Sequence, residues 1–247
     1  MLAHSDIPSP GGAGNGKKFL GVFKADVDNL GFIFSIGFDQ GQQANRLSIS
    51  RFATLSRLMN YFFSVELIEL IRKECPDIYV IFAGGDDVFF LGPWARLIDF
   101  GLQLRRRFHD FTVGNPDITI SAGIGVFKPR MPIRTIADEA EHLLNNAKGR
   151  KIDEKIAKDG VSLFGDVVGW QELSDQIERG RQIEELLTQK VLPSGLVNRL
   201  LHYSRQKRRF DEQRDMKDLL YKSHLSYDFE RNLEPEQFTQ KNPLEQC

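Results

Sequence analysis

Hydrophobic positions change their period several times along the chain, and each change marks an element. Phe19-Leu20-Gly21-Val22-Phe23-Lys24-Ala25 is a nearly continuous apolar run ending in Asp26, which predicts a central strand. From Ser48 to Glu74, Phe52, Leu55, Met59, Phe62 and Val65 recur at helical spacing with no Gly or Pro between them, predicting one long amphipathic helix. Pro76 follows its end. Ile78 to Ala83 and Val88 to Leu91 are then two apolar runs joined by Gly84-Gly85-Asp86-Asp87, the pattern of a β-hairpin. Trp94 to Phe111 returns to the helical period. Ile118, Ile120, Ala122, Ile124 and Val126 alternate with Thr119, Ser121, Gly123 and Gly125, as expected of a half-buried strand.

The resulting order, βαββαβ, specifies an α+β fold of the ferredoxin-like type: an antiparallel sheet with helices on one face, the layout also used by polymerase palms. Pro132 to Arg150 adds a helix through Ile136, Ala140, Leu143, Leu144 and Ala147, and the sheet is expected to end with Val161-Ser162-Leu163-Phe164. Beyond Gly169 the pattern is helical only, with Trp170, Leu173, Ile177 and Ile183 on one stripe and further helices near Gly195 to Arg208 and Glu212 to Asn232. These readings divide the chain into a flexible lead-in (1–18), a palm-like domain (19–168), a small helical domain (169–232) and a frayed tail (233–247).

Composition narrows the function classes. Hydrophobic residues make up 41% of the 247 and charged residues 27%, so the chain can bury a proper core. Thirty-three basic residues against 34 acidic give a net charge of -1, which argues against nucleic-acid binding through a bulk positive field. Arg105-Arg106-Arg107 and Arg205-Gln206-Lys207-Arg208-Arg209 remain local basic runs, either solvated helix faces or docking surfaces for an RNA-containing assembly. Cys75 and Cys247 are too few for a disulfide framework or a cysteine zinc site and suit a reducing cytoplasm, and no membrane span is expected.

The chemistry concentrates at Gly84-Gly85-Asp86-Asp87. Two glycines permit a tight turn, and neighbouring carboxylates at its tip repel each other unless a divalent cation joins them. The tetrapeptide alone fits a plain polar hairpin equally well. Asp26, at the end of a strand that the topology places beside this hairpin, makes a third carboxylate. Asp26 and Asp28 are not expected to reach one metal; Asp26 is the preferred ligand, with the Val27 carbonyl as a neutral oxygen, while Asp28 reads as a turn former with Asn29 and Gly31. Asp87, opening the exiting strand, ranks above Asp86.

Lys24-Ala25-Asp26-Val27-Asp28-Asn29-Leu30-Gly31, then Ser50-Arg51, Leu55-Ser56-Arg57 and Phe62-Phe63, then Ala83-Gly84-Gly85-Asp86-Asp87, resemble the large subunit of type III CRISPR effector complexes, most closely the Csm type. The likeness spans about 19–230 and corresponds to the second palm plus the C-terminal helical domain. Ser121-Ala122-Gly123-Ile124 and Ala147-Lys148-Gly149-Arg150 also resemble the closing strand and helix of the related GGDEF cyclases.

The resemblance implies an Mg²⁺-dependent (or Mn²⁺-dependent) synthase that joins ATP into cyclic oligoadenylates when the complex binds target RNA. In it the 3′-hydroxyl of one ATP attacks the α-phosphate of another, and two metals about 4 Å apart fit that chemistry. By position it makes Asp26 and Asp87 the metal ligands with the Val27 carbonyl, and Asp86 the completion of an acidic tip formed on Gly84 and Gly85. Lys148 becomes a triphosphate contact, against an ordinary exposed helical lysine, and Ser56 a nucleotide-facing residue, against an unremarkable helical serine. The implied partners are other subunits of the ribonucleoprotein, crRNA and target RNA through it, and the HD nuclease and first-palm portion of the large subunit. That portion is not found in these 247 residues; His109-Asp110 lacks the surrounding ligands of an HD site, so DNA cleavage is not expected of this polypeptide. Two rivals stand. A diguanylate cyclase shares the Gly-Gly-Asp turn, but Asp87-Val88 replaces Glu-Phe, and its inhibitory Arg-x-x-Asp is missing at Cys75 to Ile78. A scaffold fragment would keep the fold and lose the chemistry.

Overall fold

The structure is a computed structural model that describes residues 19–31, 49–214 and 216–232. The lead-in 1–18 and the tail 233–247 lie outside the described residues, as do Ser48 and Cys247. Two compact units part between Ser174 and Asp175.

The first unit is built on strand β1 (Leu20–Val27), which is hydrogen-bonded on both sides. It pairs antiparallel with β3 (Asp87–Pro93) and with β4 (Ile120–Phe127), and β3 pairs with the edge strand β2 (Tyr79–Gly84). The spatial order β2-β3-β1-β4 is the one a βαββαβ chain adopts in the ferredoxin-like fold. The sheet continues beyond the expected limit. Strand β7 (Gly160–Leu163) lies parallel to β4, and β8 (Asp166–Gly169) pairs antiparallel with β7, so the sheet has six strands and is mixed. A separate small hairpin joins β5 (Lys151–Ile152) to β6 (Lys155–Ile156).

The long helix is three segments: α1 (Ile49–Tyr61), a π-helical segment (Phe62–Glu66) and α2 (Leu67–Glu74). The π segment adds a residue to the turn, which rotates the buried stripe. Met59, Phe62, Phe63, Leu67, Leu70 and Ile71 are buried, whereas Phe52 and Val65, expected on that stripe, are exposed. Helix α3 (Trp94–Phe111) covers the same face of the sheet, through Phe100 edge-on to Phe23 and Phe90 and through Phe108 against Phe62 and Phe63.

Helix α4 (Ile133–Lys148) lies on the opposite face. There Ile136 and Ala140 pack with Val22 and Phe127, with Leu20, Phe89 and Leu91 around them. The expectation of helices on one face only is therefore corrected: a parallel β4-to-β7 connection needs a crossover, and α4 is that crossover. Its layer buries the second face of β4, which is closed on both sides instead of half-buried. Gly123 allows the close approach, since a Cβ there would stand 2.5 Å from the backbone nitrogen of Leu144.

After β8 the chain is helical. Helix α5 (Trp170–Thr188) anchors in the first unit through buried Trp170 and Leu173, with the indole N–H donating to the Ile120 carbonyl at 2.8 Å. Ile183, placed on the same stripe by its spacing, is exposed. In the second unit α6 (Ser194–Gln213) and α7 (Tyr221–Asn232) are joined by a 3₁₀ turn, and buried Asp228 accepts from Tyr203 at 2.6 Å and Arg199 at 2.7 Å. Those donors hold the Asp228 carboxyl below its usual range, Tyr203 first. Among the described residues no helix is long and apolar enough to cross a membrane.

Candidate active site

The hairpin tip is a two-residue turn, Gly85-Asp86, between Gly84 and Asp87, which pair across it. Gly85 has φ +66°, a left-handed conformation that a side chain resists. Gly84 has an ordinary strand conformation, and a Cβ on it would make only van der Waals contact with Ser64 Oγ at 3.5 Å and Asn60 Oδ1 at 3.6 Å. The turn thus needs one glycine, where the sequence suggested two. Asn60 Oδ1 fixes it from α1, accepting the Gly85 N–H at 3.2 Å and the Ser64 hydroxyl at 3.0 Å.

Strand pairing brings the acidic residues together. Asp26 stands directly opposite Asp87 in the β1–β3 register, so both side chains leave the same face of the sheet. The Val27 N–H donates to the Asp86 carbonyl at 3.0 Å, tying the end of β1 to the turn. Burial pushes the Asp26 carboxyl up, Lys148 opposes that, and the charges of Asp86 and Asp87 add to the rise. Asp87 is likewise pushed up, by burial and then by Asp86, against the nearby Lys24.

Helix α4 lays a polar row over these carboxylates. Glu141 and Lys148 are two helical turns apart and share a face. Glu141 pairs with Lys24, which stands two residues before Asp26 on β1, and this hydrogen bond holds the Glu141 carboxyl below its usual value. Lys148 Nζ lies 2.6 Å from Asp26 Oδ1. Ser56 is exposed on α1, one turn before Asn60, and it is Asn60 that reaches the tip.

Asp28 has a different place from that expected. Residues two apart on a strand share a face, so pleating alone does not separate Asp28 from Asp26. The separation arises because β1 ends at Val27. Asp28 is fully buried and accepts from Thr119 Oγ1 at 2.8 Å, Ser121 Oγ at 2.9 Å and the Asp159 N–H at 3.1 Å. Arg105 grips Asp159 with two hydrogen bonds of 2.8 and 3.0 Å, so the first of the three arginines belongs to this anchor. The adjacent Lys158 and Asp159 both have positive φ, a strained pair that the anchor holds in place. Asp28 is a structural post at the base of the site and not merely a turn former.

A divalent cation suits the oxygen donors here, two facing carboxylates whose burial disfavours their uncompensated charge. Yet among the described residues no three acidic, histidine or cysteine side chains stand together as a metal-holding group. In the structure Asp26 is turned to Lys148. Sequence reasoning missed Lys24, Glu141 and Asn60; the seven-residue spacing of Glu141 and Lys148 is the signal that could have found one of them.

Comparison with known proteins agrees with this architecture. Residues 19–157, more than half the chain, match the family described as Cas10/Cmr2, second palm domain. A Mycobacterium tuberculosis relative, named CRISPR system single-strand-specific deoxyribonuclease Cas10/Csm1 (subtype III-A), is 37% identical over 182 residues. That match takes in 67% of this chain but 22% of the relative, so the chain spans about a fifth of its length. A solved Csm1-Csm4 cassette in complex with AMPPNP shares the fold at TM-score 0.59 and 27% identity, over 81% of this chain and 30% of that one. A Csm1-Csm4 cassette in complex with cA3 does so at TM-score 0.59 and 26% identity, over the same shares. With β1, the acidic hairpin and the β4–α4 crossover all inside the matched span, the chain belongs to the Cas10/Cmr2 family through its second palm domain.

Proposed function

We propose that this chain provides the nucleotidyl-transfer site of a type III CRISPR large subunit, joining ATP into cyclic oligoadenylates within an RNA-guided complex activated by target RNA. The observation that carries the reading is the register of β1 and β3, which sets Asp26 opposite Asp87 at the mouth of a tight acidic turn, with Lys148 beside them. The AMPPNP and cA3 bound by related cassettes support adenine nucleotides as the substrate class. Their Csm4 supports a partner subunit of the same kind.

Asp26 and Asp87, with the Val27 carbonyl and Asp86, would hold Mg²⁺ or Mn²⁺. Bound there, such ions supply Lewis acidity, favouring the ionised 3′-hydroxyl and neutralising charge on the leaving pyrophosphate. The chain's own residues orient the reactants. Gly85, with no other atom within 4 Å of where a Cβ would stand, leaves the space beside the turn open, Gly84 lies against the Ser64 and Asn60 side chains, and Asn60 holds the turn in shape. Lys148 offers an ammonium to the triphosphate. In the reaction the O3′–Pα bond forms, the bond from Pα to the α,β-bridging oxygen of ATP breaks so that this oxygen departs with pyrophosphate, and the hydroxyl proton passes to solvent water. The first palm and HD portion of the subunit, together with crRNA and target RNA, complete the assembly; residues 19–168 form the catalytic part, and the helical part expected over 169–232 separates from it within α5, where the compact units part between Ser174 and Asp175. Ser56 belongs to the exposed helix face that flanks the nucleotide.

The test is reconstitution with the remainder of the large subunit, its partner subunits, guide RNA and target RNA, with ATP or GTP and Mg²⁺, followed by mass analysis of the products. Cyclic oligoadenylates from ATP, dependent on target RNA, are expected. A cyclic dinucleotide from GTP, or no product, would overturn the reading.

A further inference from the structure

Lys148 stands where a cation would be needed. Its ammonium lies 2.6 Å from Asp26 Oδ1, and each side chain is 27% exposed, so the contact is partly desolvated. A charge-assisted hydrogen bond in such a setting is a strong one. Lys148 is the last residue of α4, a helix that Gly123 lets approach β4 closely at Leu143 and Leu144. The second ammonium, Lys24, is engaged by Glu141. Asp26, Asp86, Asp87 and Glu141 thus face two lysines, four negative charges against two positive, and the structure spends one lysine on each end of the row. Meanwhile the donors do not form a metal-holding group of three among the described residues.

We propose that Lys148 and a divalent cation compete for Asp26, so that the donor set closes only when nucleotide phosphates draw the ammonium away. This rests on the nucleotidyl-transfer reading above. Phosphate oxygens carry more charge than one carboxylate and accept several hydrogen bonds, so they are the stronger partner for the lysine. Released, Asp26 turns to join Asp87. Cation and polyphosphate therefore bind with positive coupling: each is weak alone and strengthens the other, by reciprocity in equal measure. Lys148 is a positioning residue for Asp26 before it is a ligand for substrate.

The test measures Mn²⁺ binding by electron paramagnetic resonance on the full 247-residue chain, with and without ATP. Replacing Lys148 by Met removes the competitor. In the absence of nucleotide, K148M is expected to bind Mn²⁺ about tenfold more tightly than the parent, while its affinity for ATP in the presence of Mg²⁺ falls about tenfold. K148R, which keeps a cation in place, is expected to follow the parent for Mn²⁺. The tightening disappears when Asp26→Asn is added, which separates the direct pair from a general change of field. K148Q provides the same reading should K148M fail to fold. Unchanged or weaker Mn²⁺ binding by a folded Lys148 variant overturns the exchange and leaves the site standing. Failure of the parent to take up Mn²⁺ even with ATP overturns the carboxylate site itself, and the exchange with it.

Discussion

Removing the Asp28 carboxylate should unfold the base of the site, and the structure sets the size of the effect. Asp28 is fully buried, and Asp28→Ala strips the acceptor from the Ser121 and Thr119 hydroxyls and from the Asp159 N–H. Each donor left unpaired and away from water costs about 1–3 kcal/mol. Ser121 is fully buried and bears the whole penalty, whereas Thr119 and Asp159 are half-buried and regain part of it from water. The sum is about 3–5 kcal/mol, or a fall in Tm of roughly 6–20 °C for a domain of this size. Asp28→Asn keeps one oxygen, and the two hydroxyls can reverse their direction. It loses only the charge-assisted part, about 1–2 kcal/mol. Urea unfolding followed by tryptophan fluorescence checks this directly, because Trp94 and Trp170 are the chain's two tryptophans and both belong to the first unit. An Asp28→Ala protein within about 1 kcal/mol of the parent would refute the argument that the network, and not the surrounding turn, holds this end of β1.

Other substitutions test neighbouring steps. Gly85→Ala should cost about 1–2 kcal/mol by placing a side chain at φ +66°, while Gly84→Ala, which meets only ordinary contacts, should cost less than half as much in the same urea titration. Gly123→Ala should cost several times more than Gly84→Ala, since its Cβ would overlap the Leu144 backbone at 2.5 Å and push α4 from β4; an equal effect would contradict the close approach. Asp87 is raised above its ordinary 3.8 mainly by burial, so the folded state holds its proton more tightly than the unfolded chain does. Its contribution to stability therefore falls as pH rises through and above 3.8, and Asp87→Asn should raise Tm at neutral pH, with the gain vanishing below that value.

The parts of the site legible in the sequence were those that local chemistry determines. An apolar run ending in Asp26 and a glycine turn between two apolar runs specify strands and a hairpin without any knowledge of the rest. The βαββαβ order then places β1 beside β3, and the Asp26–Asp87 register follows from it. What escaped was long-range. Asp28 meets Ser121 and Asp159 across 93 and 131 residues, and Lys24 meets Glu141 across 117, separations at which no periodicity carries information. The parallel pairing of β7 escaped because a four-residue strand has too few positions to show on which side it joins. The π segment escaped because a single inserted residue leaves the apolar spacing nearly intact while rotating which side chains are buried.

The most direct test of the central claim is the yield of cyclic oligoadenylate from the target-RNA-activated complex when Asp26→Asn and Asp87→Asn are introduced singly and together. If the two opposed carboxylates form one site, either change alone should abolish most of the product, and the double variant should be scarcely worse than either single one. Full product from the double variant would contradict the account.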